Sequence, residues 1–205
     1  MSDASTSPTS SRSHAARSAF TAIVSLHNAI FSRIDAALSS WAIPTLARFT
    51  FAAVLLMYFW ASAMTKLGDG IFGLFSPSVG AYAQIFPQKA EAVLYDTSQF
   101  SIFEKLVILA GTWAEFILPF LLVIGLFTRL AALGMIGFVA VQSLTDIHGH
   151  HADAATIGTW FDRASDSLIM DQRAFWMFVL LVLVLRGAGP ISVDRFIGID
   201  RPKTG

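Results

Sequence analysis

Residues 46–66 read LARFTFAAVLLMYFWASAMTK, and this stretch decides the fold. Between Arg48 and Lys66 it contains no charged side chain. As an α-helix rising 1.5 Å per residue it is long enough to cross a hydrocarbon core of roughly 30 Å. A chain that leaves so long an apolar run without a polar face needs lipid, because every backbone group is satisfied inside the helix and the side chains ask for nothing from water.

Three more blocks of this kind follow. The span at 103–127 carries Glu115 and Pro119 inside it and ends in GLFTRL, a tight turn. The span at 130–147 is rich in small residues, including Gly134, Gly137 and Ala140, which let helices approach closely. The last block is strictly apolar only from Ala174 to Leu185, so it must borrow flanking residues and is placed at 171–191. Composition agrees: 55% of residues are hydrophobic and 14% charged, against roughly a quarter charged in soluble domains. The expected class is all-α, an integral membrane four-helix bundle occupying 43–196, with the lipid bilayer as its first partner.

The flanks read differently. Residues 1–16 (MSDASTSPTSSRSHAA) lack an apolar run and are expected to form a disordered tail. No apolar core follows them directly, as a secretory signal would require. In 17–42, Phe20, Ile23, Val24, His27, Ile30, Phe31, Ile34, Leu38 and Trp41 recur at three- and four-residue steps, which predicts an N-terminal amphipathic interfacial helix. Residues 197–205 form a short C-terminal tail. Sorting basic residues by side places Arg12, Arg17, Arg33, Arg48, Arg129, Arg186, Arg195, Arg201 and Lys203 with the termini, and Lys66, Lys89, Lys105, Arg163 and Arg173 opposite them. Nine against five puts both termini in the cytoplasm. The long loops, 67–102 and 148–172, then lie outside. In the second of these, Ile157, Trp160, Phe161, Ala164 and Leu168 fall at helical spacing and predict a short helix resting on the interface or over the bundle mouth.

Several function classes are excluded. The net charge is zero and no Lys/Arg cluster stands out, so nucleic acid is not a partner. The chain has no cysteine, hence no thiolate chemistry and no iron–sulfur cluster of its own. None of its five histidines falls within a span, so a pair of buried axial haem ligands is not expected. The glycines of RGAGPISVD lack the Lys-Ser/Thr of a phosphate loop and close a helix instead.

The blocks LARFTFAAVLLMYFWASAMTKL, TWAEFILPFLLVIGLFTRLAAL and LRGAGPISVDRF together resemble the DoxX family of small bacterial four-helix membrane proteins. The shared signs are an Arg opening the first helix and a Lys closing it, a Glu in the second before a Gly-x-x-Thr-Arg turn, and a Gly-x-Gly-Pro-x-Ser-x-Asp ending. The chain adds an N-terminal extension and longer outer loops. It also carries Ala61 and Ser62 where the family has a small Gly. The resemblance implies a multi-pass protein of the bacterial cytoplasmic (inner) membrane. It further implies a subunit of a quinone-linked or oxidative-stress-associated redox complex, auxiliary to a partner subunit that holds the redox centre.

Among single residues, Glu115 is the leading candidate. It lies deep in its span, where a carboxylate is expensive and faces the bundle interior by default. Held there it can exchange a proton with a bound quinone, or serve only as a neutral acid hydrogen-bonded to Tyr58 or to another helix. The candidate quinone-binding set is Arg48, Tyr58, Lys66 and Glu115, with Ser62 and Thr65 on the face of Lys66. Snorkelling towards the interface accounts equally well for Arg48, Arg129 and Arg186. In TDIHGHHAD, His148, His150 and His151 are spaced so that a loop could bring them to one metal ion. Three functions remain open: the redox-linked subunit, a non-enzymatic membrane anchor or assembly factor, and a small transporter or metal-handling protein.

Overall fold

A computed structural model describes residues 9–199, with side chains from Arg17 onward. The chain divides into two compact units, Met1–Ser40 and Trp41–Gly205. The first is a single helix, α1 (Thr9–Leu38). It begins earlier than the expected interfacial helix, so residues 9–16 of the expected tail are helical and residues 1–8 lie outside the described residues. No Pro or Gly interrupts the chain between Pro8 and Pro44, which leaves nothing to stop the helix from starting early. Phe20, Ile23, Phe31, Ile34 and Leu38 are all exposed.

The second unit contains α2 (Ala42–Met64), α3 (Val79–Ile85), α4 (Pro87–Ala92), α5 (Ile102–Ile124), α6 (Thr128–Gly149), α7 (Ala154–Ile157), α8 (Leu168–Arg186) and α9 (Val193–Phe196). No strand occurs among the described residues. Four of these helices, α2, α5, α6 and α8, are long and apolar enough to span a membrane, yet the protein itself buries only 22–28% of their most apolar windows. Exposed side chains such as Val54, Met57, Leu106, Leu133, Phe178 and Leu185 need an apolar solvent around the bundle. This is a multi-pass membrane fold.

The packing order is a closed ring: α2 touches α5 and α8, and α6 touches α5 and α8. Phe51, Leu55 and Phe59 of α2, Leu122 of α5, Ala132, Met135 and Val139 of α6, and Trp176, Leu180 and Leu183 of α8 fill its centre. Wider π-helical turns interrupt α2 at Ala52–Leu56, close α6 at Thr145–Gly149 and open α8 at Leu168–Gln172.

Two spans differ from their expected bounds. Pro44 sits in the first turn of α2, where a missing N–H costs nothing, so the helix starts at Ala42 and not at residue 46. The fourth span is Leu168–Arg186, not 171–191. Gly187 ends it with φ 76° and ψ −159°, so the missing length comes from the other end, where Ser167 and Asp171 cap each other reciprocally. The helix expected over 157–168 is also replaced. α7 stops at Ile157 because Gly158 takes a positive φ of 78°, Phe161 follows with φ 66°, and the chain runs irregularly to Ser167.

The end of the bundle that holds the α5–α6 turn is locked by polar contacts. Gly125 closes α5 in the left-handed region, φ 70° and ψ 47°, and the Leu126 N–H donates back to the Leu121 carbonyl at 2.9 Å. A Cβ on Gly125 would lie 2.9 Å from the Arg48 guanidinium carbon and 2.6 Å from Ser192 Cβ. The Arg48 guanidinium donates to the carbonyls of Leu122 at 3.1 Å, Val123 at 2.5 Å, Ala188 at 3.0 Å and Ile191. Asp194, 2% exposed, takes the free N–H groups of Phe127 and Thr128 on its two oxygens at 2.7 and 2.8 Å, and its own N–H donates to Gly125. Arg129 does the same service for α8, donating to the Val184 and Leu185 carbonyls. Unsatisfied helix-end groups thus find charged partners instead of water.

Candidate functional site: a polar pair in an apolar cavity

At the other end of the bundle α5 and α6 diverge from their turn and leave a cavity of about 470 Å³. Its walls are mostly apolar or small: Val107, Ala110, Gly111, Ala114 and Leu118 from α5, and Gly134, Gly137, Phe138 and Val141 from α6. Ser62 and Lys66 come from α2, and Gln84 and Ile85 from α3 roof the space. The roof is fastened by a small core of its own, Ala81, Tyr82, Ala90, Phe100 and Ile108. A Lys89–Glu104 ion pair at 2.6 Å ties α4 to the first turn of α5, where Ser101 and Glu104 form a capping box.

Glu115 forms the polar centre of the wall. Its carboxylate takes two bonds from Lys66 Nζ, at 2.8 and 3.1 Å, and one from Ser62 Oγ at 3.3 Å. The Lys66 ammonium also donates to Ser62 Oγ at 2.8 Å. Both residues are buried, with 4% and 3% of their surface exposed. The local sequence explains the meeting: Lys66 follows the last turn of α2 one turn after Ser62, so both point the same way at α5. The sequence offered Tyr58 or another helix as the partner, and Lys66 and Ser62 of α2 supply the second of these. The Tyr58 hydroxyl instead accepts from Gln142 Nε2 at 3.2 Å, and its ring packs on Phe59 and Trp176.

Of the four residues expected to bind a quinone, the structure therefore unites Lys66 and Glu115. Tyr58 stands one contact behind the wall, through Gln142, and Arg48 belongs to the opposite end of the bundle. Arg48 does not face the cavity: it caps α5.

The three histidines do not converge either, and no group of three or more His, Asp or Glu suited to a metal occurs among the described residues. His150 Nε2 meets the Gln84 carbonyl at 3.0 Å, while Gln88 Nε2 donates to the His148 carbonyl at 2.9 Å and lies 3.3 Å from His151 Nε2. Their observed contacts are with the roof.

A further ion pair, between α6 and α8, escaped the sequence reading. Arg173, 3% exposed at the start of α8, donates to Asp146 at 2.5 Å and to Ser143 at 3.0 Å. Asp146 lines the cavity together with Gln142, Thr145 and His150, so polar groups face the space from α6 as well as from α2 and α5. Nothing in the spacing of Asp146 and Arg173 announces this contact, because they are brought together only by the packing of α6 on α8. Such a site can hold a molecule with an apolar body and hydrogen-bonding ends, and can offer it an ammonium, a carboxylate and an amide.

In comparisons with models of known protein families, with curated proteins and with solved structures, the chain shows no significant match.

Proposed function

We propose that this protein is a membrane subunit of a redox complex, and that its cavity binds the head group of a quinone-class molecule at Lys66 and Glu115. The observation that carries the reading is a buried ammonium–carboxylate pair set into an otherwise apolar cavity between membrane helices. A quinone ring is apolar in body with carbonyl oxygens at its edge. Lys66 Nζ donates to such an oxygen, and the Lys66–Glu115 pair can hand on a proton when the ring is reduced. The chain has no cysteine and so no thiol-based or iron–sulfur carrier of its own, and electrons come from a partner subunit or from a substrate that reacts directly with the bound quinone. The sequence resemblance to the DoxX family supports the same reading. The same resemblance supports a bacterial inner-membrane location, and the surplus of basic residues on the side of the termini supports a cytoplasmic position for both.

The test is binding of a tail-less benzoquinone or naphthoquinone to the purified protein, paired with complementation of a deletion strain. Wild type should bind, and Glu115→Gln, which cannot ionise, should lose complementation while remaining inserted. Full complementation by Glu115→Gln together with no quinone binding by wild type would leave the second reading, a non-enzymatic anchor or assembly factor. That reading is favoured by one observation: Lys66, Ser62 and Glu115 already satisfy one another without a ligand.

A further inference from the structure

The cavity has an opening, and its position is informative. Leu118 of α5 touches Gly134 of α6, with side-chain carbons 3.2 Å from where a Gly134 Cβ would stand. Three residues further from the turn on each helix come Glu115 and Gly137, so these two stand at one level on facing walls. The wall residues Ala110, Gly137 and Val141 are exposed, Val141 by 63%. All three lie well inside their helices, far from either end of Ile102–Ile124 and Thr128–Gly149. An opening at that depth faces lipid and not water.

Gly137 has no packing reason to be glycine. A Cβ placed on it would meet nothing within 4 Å, whereas at Gly134 and Gly111 the neighbouring Leu118 and Ile85 already crowd that position. Glycine in a helix interior is less stable than alanine by about 1 kcal/mol, so an uncrowded one is a cost without a structural return. Its effect is to keep the space opposite Glu115 empty and continuous with the opening.

We infer that the gap between α5 and α6, bounded by Ala110 and Gly111 on one side and Gly137 and Val141 on the other, is a lateral doorway for a tailed lipid-soluble ligand. The head enters from the bilayer and rests on Lys66 and Glu115, and the isoprenoid or acyl tail passes over Gly137 and stays in lipid. The inference rests on the head-group reading above but adds the ligand's tail, its route and the residue that admits it. A closed cavity of about 470 Å³ limits ligand size. A side-opening one does not.

The experiment compares a tail-less quinone, the same ring with a ten-carbon tail and the same ring with a long isoprenoid tail, each binding to detergent-solubilised protein. Wild type should bind the long-tailed form at least as tightly as the tail-less one. Gly137→Phe should weaken both tailed forms tenfold or more beyond whatever it does to tail-less binding. Ala110→Phe, on the other side of the doorway, should do the same and serves if the first variant melts early. Gly137→Ala, which adds one carbon to the space the tail crosses, should weaken the tailed forms by less than Gly137→Phe does and leave the tail-less form as in wild type. Tail-less binding with exclusion of the long tail by wild type, or equal effects of Gly137→Phe on all three ligands, overturns the doorway and leaves the head-group site standing. Binding of none of the three by wild type removes both.

Discussion

Removing one member of the Lys66–Glu115 pair should cost far more than removing both. In Lys66→Met the Glu115 carboxylate loses two charge-assisted bonds and keeps one long contact from Ser62 at 3.3 Å, inside a wall where only 3% of its surface reaches solvent. Breaking a buried pair in this way costs about 3–5 kcal/mol, because the remaining charge has no replacement for water. Glu115→Leu strands the Lys66 ammonium with only Ser62 and should cost a similar amount. The double variant removes both charges and replaces them with apolar atoms in an apolar wall, so it should recover most of the loss. The coupling in the double-mutant cycle should then reach about 2–3 kcal/mol or more, well above the values of exposed pairs. At roughly 2–4 °C per kcal/mol for a domain of this size, the single variants should melt about 6–20 °C lower. Thermal melting of the four proteins in one detergent reads all of this. A double variant no more stable than the worse single one, or single variants within about 1 kcal/mol of wild type, would refute the argument that the pair is dry and mutually dependent.

Other outcomes follow from other parts of the bundle. Asp194→Ala deprives the Phe127 and Thr128 N–H groups of their carboxylate acceptors and should cost about 2–4 kcal/mol in the same melting assay, with Asp194→Asn recovering part of it. Asp96 and Asp153 are held below the usual aspartate range by hydrogen bonds from Ser98 and from the Thr156 backbone respectively. A lowered carboxyl pKa means that these loop caps are formed above the ordinary aspartate value of about 4 and are lost as pH falls through their own lower values. Amide exchange at Ser98 and Thr156 should therefore lose its protection only on strong acidification, while the spans keep theirs. Reporter fusions at the C-terminus and near Arg129 should read as cytoplasmic, and fusions near Pro87 and Gly158 as extracytoplasmic; an extracytoplasmic C-terminus would overturn the assigned orientation. Joint replacement of His148, His150 and His151 by Ala should leave zinc or copper stoichiometry unchanged if these residues only clasp the roof, and a lost equivalent would restore the metal reading.

The spans were legible because lipid imposes a length and a polarity that a single sequence displays directly, and α2 and α5 can be read from their uninterrupted apolar runs. Their ends were less so. The fourth span shifted because a reciprocal Ser167–Asp171 cap, invisible to hydropathy, decides where the borrowed residues come from. The helix expected after Ile157 failed because apolar spacing was given more weight than Gly158, which alone can stop a helix. In the site, depth singled out Glu115, while Lys66 stood out through the family resemblance and the hydroxyls of Ser62 and Thr65 on its face. That Arg48 lies away from Lys66 and Glu115 was not legible, because nothing local says that its reach ends on the carbonyls of another helix. Asp146 and Arg173 stayed hidden for the same reason. Gly137 looked like a packing residue among other small ones, and only its empty surroundings distinguish it.

The contact made by Asp194 also has a bearing on synthesis. The α5–α6 hairpin is finished in sequence by Gly149, yet the amides at the start of α6 obtain their acceptors only from residue 194, some forty-five residues later. Until the ribosome has passed that point, the first turn of the third span lacks these acceptors, and Arg48 likewise awaits the carbonyls of Ala188 and Ile191. The closing segment therefore completes the seal: a chain that stops before Asp194 has all four spans but an unsealed end, although hydropathy alone would count it as whole.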